Sequence, residues 1–346
     1  MHHFKNPLLF RHAKNTDLKA IHALAKESGF GLTTLPKTRT LLAQRLEHAT
    51  TSWQKIRHIP HHDYYLFVLE DLNTHRIVGT AAIEAKTGAQ APFYSYKISK
   101  RIRITQGLIS KKKHEDLLLN LVNDYHGHTE LCTLYLTPDY RQGGCGAFLS
   151  RSRFLFMAQF PHRFSKTIIA EMRGITHPDG HSPFWDALGY HFFNRSFIEA
   201  DQLTLSTDKQ FIADFMPEYP IYIKLLSPEA QIVIGNPHPS TVPAMQLLLK
   251  EGFFYNHYVD IFDAGPVLET PLTHIQTFQK TGIFKLKTTQ TAIESPYYLL
   301  SNTIANFRAT KATAHIDFKK NTCTIHTETA AILKLKPRMH LRAAPF

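Results

Sequence analysis

The sequence predicts an α+β fold. Residues 1–270 should form a mixed, mostly antiparallel sheet flanked by helices, and residues 271–346 a small β-rich, barrel-like domain. Three observations predict this. A first strand is followed by two helical stretches and then by hairpin-forming strands. A strand then runs through a glycine-rich loop into an amphipathic helix at 130–160. From Pro271 onward the texture changes to short alternating segments divided by polar turns.

Taken in order, residues 9–13 read as a strand. Asn15 or Thr16 can cap the helix after it, Asp17 suits its first turn, and Leu18, Ile21, Leu24 and Ala25 make its inner face. Gly29 sits where that helix ends. The loop 29–36 is rich in glycine and threonine, and Pro36 leads into a second helix at 38–53. Residues 64–70 and 77–85 form a hairpin around Asp71, Asn73 and Thr74. Residues 92–99 are a further strand, and the basic stretch 100–113 an exposed strand and turn. Residues 131–136 are apolar and contain threonine, as a strand buried on both faces would. Cys145, Phe148, Leu149, Phe156 and Phe160 fall on one face of the helix beyond. Residues 166–174 give a strand expected beside 131–136.

Further on, 183–193 read as a short helix ending at Gly189 and then a strand, and 208–224 show helical spacing. Residues 241–255 read as a helix ending at Gly252 and a strand. The likeness of 185–192 to this last pattern suggests an internal half-repeat. The tail segments 282–287, 297–300, 313–318, 322–327 and 333–341 are β-prone and carry no catalytic motif.

The chain has 346 residues, 43% hydrophobic and 20% charged, enough for a substantial core. No apolar run approaches the about 18 residues of a membrane helix. The N-terminal stretch has no extended apolar segment with a cleavage site, so a cytoplasmic location is expected. Cys132, Cys145 and Cys323 are too few and too scattered for a disulfide framework or a zinc site. The net charge of +12 is spread along the chain without a dense basic block interleaved with aromatics. A nucleic-acid role is therefore not expected, and part of this charge suits a polyanionic ligand. The 22 histidines cluster at 58–62 and 126–128, yet show no metal-ligand spacing; no metal site is expected.

The stretch 130–147 concentrates the chemistry. A glycine-rich loop at a helix N-terminus presents unpaired N–H groups and the positive end of the helix dipole to an anion. Arg141, Gly144 and Gly146 give the spacing R-x-x-G-x-G, with Gly143 beside them. This resembles the acyl-CoA pyrophosphate loop of the GNAT superfamily of N-acyltransferases. The element order around it resembles the GNAT fold, in which two strands diverge and acyl-CoA slips between them.

Longer stretches are similar to the arginine N-succinyltransferase family. They are Gly31-Leu32-Thr33-Thr34-Leu35-Pro36, Glu130-Leu131-Cys132-Thr133-Leu134, Pro138-Asp139-Tyr140-Arg141, Ser150-Arg151-Ser152-Arg153-Phe154, Ala170-Glu171-Met172-Arg173-Gly174, Ser182-Pro183-Phe184-Trp185, His238-Pro239 and Asp260-Ile261-Phe262-Asp263-Ala264-Gly265-Pro266. They follow the family's order over about residues 8–266. The resemblance implies transfer of succinyl from succinyl-CoA, a co-substrate, to the α-amino group of L-arginine in arginine catabolism. It implies no permanently bound cofactor. It places the family's succinyl-CoA-contacting leucine on Leu134 and its catalytic, proton-donating histidine on His238. It also implies a homo- or hetero-oligomer with a similar subunit. The chain departs from the family in having Pro237 before that histidine and many histidines before Glu130.

The chemistry needs a donor for the thioester oxyanion, which a backbone N–H near Leu134 would supply, and a proton carrier, which His238 suits. The succinyl carboxylate needs a cation or several N–H donors. Arg173 is one candidate, and the loop 29–34, with Thr33, is another. The substrate guanidinium needs a carboxylate from among Glu130, Glu171 and Asp263. An acyl-cysteine route through Cys132 or Cys145 is set aside, because direct attack needs no covalent intermediate and a strand cysteine is usually a small core residue. Two alternatives stay open. One is an acyltransferase using another acyl-CoA or another basic amine, such as ornithine or a polyamine. The other is a non-catalytic module that binds acyl-CoA or arginine.

Overall fold

Strand β1 (Leu8–His12) leads through a tight turn into α1 (Leu18–Glu27) in the computed structural model, which describes residues 7–29, 32, 34–89, 92–106, 111–206 and 214–346. Asp17, and neither Asn15 nor Thr16, fixes that entry. Its carboxylate accepts the Lys14 N–H at 2.8 Å and pairs with Arg11 at 2.7 Å. A carboxylate serving a loose N–H and a guanidinium together holds the turn better than a lone hydroxyl would. α2 (Arg39–Gln54) lays Leu42, Leu46 and Ala49 on the core that α1 builds with Ile21 and Ala25.

β2 (Tyr64–Asp71) and β3 (Arg76–Glu84) form the expected hairpin. β4 (Ser95–Gln106) runs straight through the basic stretch and pairs along its whole length with β5 (Lys111–Val122). β6 (Thr129–Leu136) then leads to α3 (Cys145–Gln159) and β7 (Thr167–Glu171). The helical spacing read over 208–224 falls partly outside the described residues; within it, β8 (Ile221–Tyr222) adds to β5.

Residues 183–193 hold no strand. They form two short helices, Pro183–Ala187 and Gly189–Phe193. The buried Trp185 explains the turn. Phe193 folds back to within 5.3 Å of its ring, and a Cβ on Gly189 would meet that ring at 2.3 Å. The likeness to the Val242–Lys250 helix and β9 (Phe254–Val259) therefore stops short of the strand.

After β10 (Pro266–Pro271) come β11 (Gly282–Thr289), β12 (Tyr297–Asn302), β13 (Arg308–Thr313), β14 (His315–Asp317), β15 (Thr322–His326) and β16 (His340–Pro345). Among the described residues all sixteen strands share one sheet, ordered β14-β15-β11-β16-β12-β13-β1-β2-β3-β6-β7-β10-β9-β4-β5-β8. Only the β6–β7 and β11–β15 pairs in it are parallel. The tail has its own core around Phe284, Leu300, Cys323 and Leu341. It is not a closed barrel. The edge of β13 that closure would need is hydrogen-bonded to β1, at Phe10↔Ala309 and Arg11↔Arg308. The tail is thus an open continuation of the main sheet.

Candidate active site

β6 and β7 are parallel neighbours at only two positions, Thr129↔Ile168 and Glu130↔Ile169. Beyond these β6 stays with β3 while β7 stays with β10. The two strands therefore part, and from Leu131 onward the edge of β6 facing β7 has no strand partner among the described residues.

At the mouth of this gap β6 is bulged. Thr80 pairs with Tyr135 and Ala82 with Cys132, so Thr133 and Leu134 together face the single Ala81. Thr133 takes φ +57°, a left-handed conformation that a β-branched residue adopts only when its surroundings impose it. Four hydrogen bonds impose it. The Thr133 N–H donates to Thr34 Oγ1 at 3.1 Å, and the Thr133 hydroxyl donates to the Thr34 carbonyl at 3.2 Å. The Tyr64 hydroxyl lies 2.6 Å from Thr133 Oγ1, and the Thr80 hydroxyl donates to the Thr133 carbonyl at 3.0 Å. The bulge takes Leu134 out of the regular ladder at the open edge, where a backbone donor is chemically useful. The threonine inside an apolar strand was the sequence signal for this device. Its partners Thr34, Tyr64 and Thr80 had none.

The loop after β6 brings Arg141, Gly143, Gly144 and Gly146 together. Arg141 Nε donates to the Leu136 carbonyl at 2.9 Å, tying the loop to its strand. Gly143 and Gly144 both have positive φ, +62° and +84°. This brings Gly146 and Ala147 into the first turn of α3 with N–H groups that no helical carbonyl can reach, while the Cys145 N–H is taken by the Gln142 carbonyl at 3.2 Å. Gly146 differs, since a Cβ there would meet only Leu247 at 3.9 Å, so the protein's own packing does not demand glycine. The last residue of the sequence also reaches this loop: a Cβ on Gly144 would meet the Phe346 ring at 3.2 Å and Lys311 Nζ at 3.7 Å. Gly144→Ala should accordingly raise KM for the acyl-CoA by about tenfold or more, from left-handed strain of roughly 1–2 kcal/mol plus the clash. Initial rates across acyl-CoA concentrations check it, and an unchanged KM would refute the assignment of the loop.

The opposite side of the gap is the end of β7. Met172 turns its N–H to the Pro266 carbonyl on the β10 side. By the alternation of a strand, Arg173 presents its carbonyl to the other edge, and there it accepts the His238 N–H at 2.7 Å. Gly174 adds a bridge to Pro237. His238 is thus mounted on the gap-facing edge of β7. Its Nδ1 accepts the Ser240 N–H at 3.2 Å and lies 2.7 Å from Ser240 Oγ. Nε2 is left to face a substrate, and the serine hydroxyl can donate to a bare Nδ1 or accept from a protonated one. Partial burial, and then the Arg173 charge, lower the His238 pKa below 6.5. Arg173 itself donates to Thr176 Oγ1 at 2.6 Å.

The remaining candidates separate. Thr33 lies outside the described residues. Glu171 is half-buried on β7, and Glu130 is buried opposite Glu84 on β3. Asp263 is buried as a staple rather than a free carboxylate, accepting the Gly174 and Gly265 N–H groups at 2.7 and 2.8 Å. Burial and the neighbouring Asp260 push its carboxyl well above the usual range. Burial likewise raises the thiols of Cys132 and Cys145, the latter to about 11, so neither is a ready thiolate.

Comparison with known proteins bears on this arrangement. The profile of the arginine N-succinyltransferase beta subunit family matches residues 8–277. The arginine N-succinyltransferase of Photorhabdus laumondii is 40% identical over 306 residues, covering 87% of this chain and 88% of its own. That of Enterobacter sp. is 41% identical over 297 residues, covering 85% of each. Among solved structures, arginine/ornithine succinyltransferase subunit AI from Pseudomonas aeruginosa superposes with a TM-score of 0.87 at 29% identity, covering 98% of this chain and 99% of that one.

Proposed function

The chain belongs to the arginine N-succinyltransferase family, and from that premise we propose that it transfers succinyl from succinyl-CoA to the α-amino group of L-arginine. The observation that carries this reading is the parting of β6 from β7, with a phosphate-loop geometry at one end and His238 on the far edge. Gly143, Gly144, Gly146 and Arg141 hold the CoA pyrophosphate, through the N–H groups of α3's first turn and a nearby cation. The pantetheine arm lies in the gap. The backbone N–H at Leu134 donates to the thioester oxygen as it becomes an oxyanion.

The α-nitrogen attacks the thioester carbon. The ammonium first gives up a proton, the neutral amine forms the C–N bond as the C–S bond breaks, and a second proton leaves nitrogen; one of the two reaches sulfur and the other is released to water. His238 carries this exchange through Nε2, while Ser240 supports either protonation state at Nδ1. Glu171, on the same side of the gap, offers a carboxylate to the substrate guanidinium. Arg173, close to His238, tunes the ring. The working location is the cytoplasm, and the working form an oligomer with a like subunit. No helix among the described residues is long and apolar enough to cross a membrane.

The test is CoA thiol release with succinyl-CoA or acetyl-CoA, each against L-arginine, ornithine and spermidine. Release with succinyl-CoA and L-arginine is expected. Release with acetyl-CoA alone, or none with any pair, would overturn the reading. Ornithine is the second acceptor to examine, because the name of the Pseudomonas protein includes it.

A further inference from the structure

Arg45 occupies an unusual place. It lies on α2 between Leu42 and Leu46, at the margin of the inward stripe, where an apolar residue would be the ordinary choice. It is only half exposed. Its guanidinium sits 4.9 Å from the centre of the Tyr64 ring, a cation–π contact. No hydrogen bond or ion pair joins it to any described residue. Its electrostatic neighbours are Tyr64, Glu84, Cys132 and Glu130, which together keep it charged. Five fixed N–H donors, partly withdrawn from water and without acceptors, are costly unless a ligand uses them.

Beside Arg45 is a cavity of about 200 Å³, lined by Pro36, Leu41, Gln44, Arg45 and His48. The buried Tyr64 stands between this cavity and the acyl end of the gap. The ring that carries Arg45 ends in the hydroxyl that holds Thr133 in the bulge, 2.6 Å away. The guanidinium therefore stands about one aromatic ring from the strand that would hold the thioester. A thioester with a carboxylate at the far end of a short chain would place its charge in this direction.

We propose that Arg45 receives the terminal carboxylate of the acyl group and so makes the site selective for a dicarboxylic thioester. The planar fork of arginine suits a carboxylate bidentately, which a lysine would not reproduce. The proposal rests on the acyltransferase reading above, and a binding readout separates the two. The affinities of succinyl-CoA and acetyl-CoA are measured without acceptor for the full chain, for Arg45→Met and for Arg45→Lys. Methionine keeps the stem that packs on Tyr64 and removes the charge. The unaltered chain should prefer succinyl-CoA. Arg45→Met should erase that preference through a loss of roughly 10–100-fold for succinyl-CoA alone, as for other charge-assisted hydrogen bonds. Arg45→Lys should restore part of it.

Equal losses for both thioesters would mean a packing role and overturn the proposal, as would a preference that survives in Arg45→Met. The other carboxylate in the reaction is the α-carboxylate of arginine. If Arg45 reads that one, KM for L-arginine rises while both thioester affinities hold, which also overturns the proposal. Absence of turnover in the unaltered chain would refute the transferase reading without touching this comparison.

Discussion

Replacing His238 by alanine should lower kcat by about 10²–10⁴-fold, the usual contribution of a positioned proton carrier, while CoA affinity changes only slightly. The split follows from the mounting of His238. It hangs from the Arg173 carbonyl on the β7 edge, across the gap from the loop that would hold the pyrophosphate. Steady-state rates and a separate CoA titration check it, and unchanged turnover would remove His238 from the chemistry. The pH profile gives a second reading. The productive state holds one proton between His238 and the substrate α-amino group, and it dominates between their two pKa values. Below the His238 pKa both groups are protonated and kcat/KM falls. Burial and Arg173 lower that pKa, so the acid limb should lie below pH 6.5. The limb should vanish in His238→Ala, and a limb above 6.5 would contradict the assignment.

The second large effect is expected at Thr133, a residue that makes no chemistry itself. Thr133→Val keeps the shape of the side chain and removes only the hydroxyl. The Tyr64 hydroxyl and the Thr34 carbonyl would then lose a buried partner, at about 1–3 kcal/mol. More important, a β-branched residue at φ +57° would lose two of the bonds that hold it there. As the bulge relaxes, the Leu134 N–H would move away from the place proposed for the thioester oxygen. Loss of one preorganised donor typically lowers kcat by about 10²–10³-fold. KM for CoA should change little, because the phosphate loop is untouched. Thermal melting alongside kinetics separates the two effects: a lower Tm with normal kcat would show that the bulge serves only the fold.

Much of this molecule was legible in its sequence where the signal was local. Strand spacing, glycines and the run from β6 into α3 lie within a few residues of one another, so periodicity and turn chemistry reveal them. The loop Arg141–Gly146 was legible for the same reason. His238 was not. From spacing alone it is a histidine between prolines, and only family resemblance singled it out. Its position depends on a hydrogen bond to the Arg173 carbonyl, far away in the chain. Thr133 fell between the two cases. Its residue type was odd for the strand, but the partners that fix its backbone come from α2's approach, β2 and β3. The strand expected after Gly189 failed because the aromatic pattern that looked extended is satisfied by rings folding back on Trp185. The β-rich tail was legible from its alternating segments, but nothing local announces that β13 will pair with β1.

That pairing has a consequence for how the chain comes into being. The Thr310 hydroxyl donates to the Leu8 carbonyl across 302 positions of sequence. β1 therefore leaves the ribosome well before the strand that covers its edge. Throughout synthesis one edge of β1 must wait without its strand, an open template for pairing with another chain. The sheet is completed across its middle, and such long-range closure is intrinsically slow.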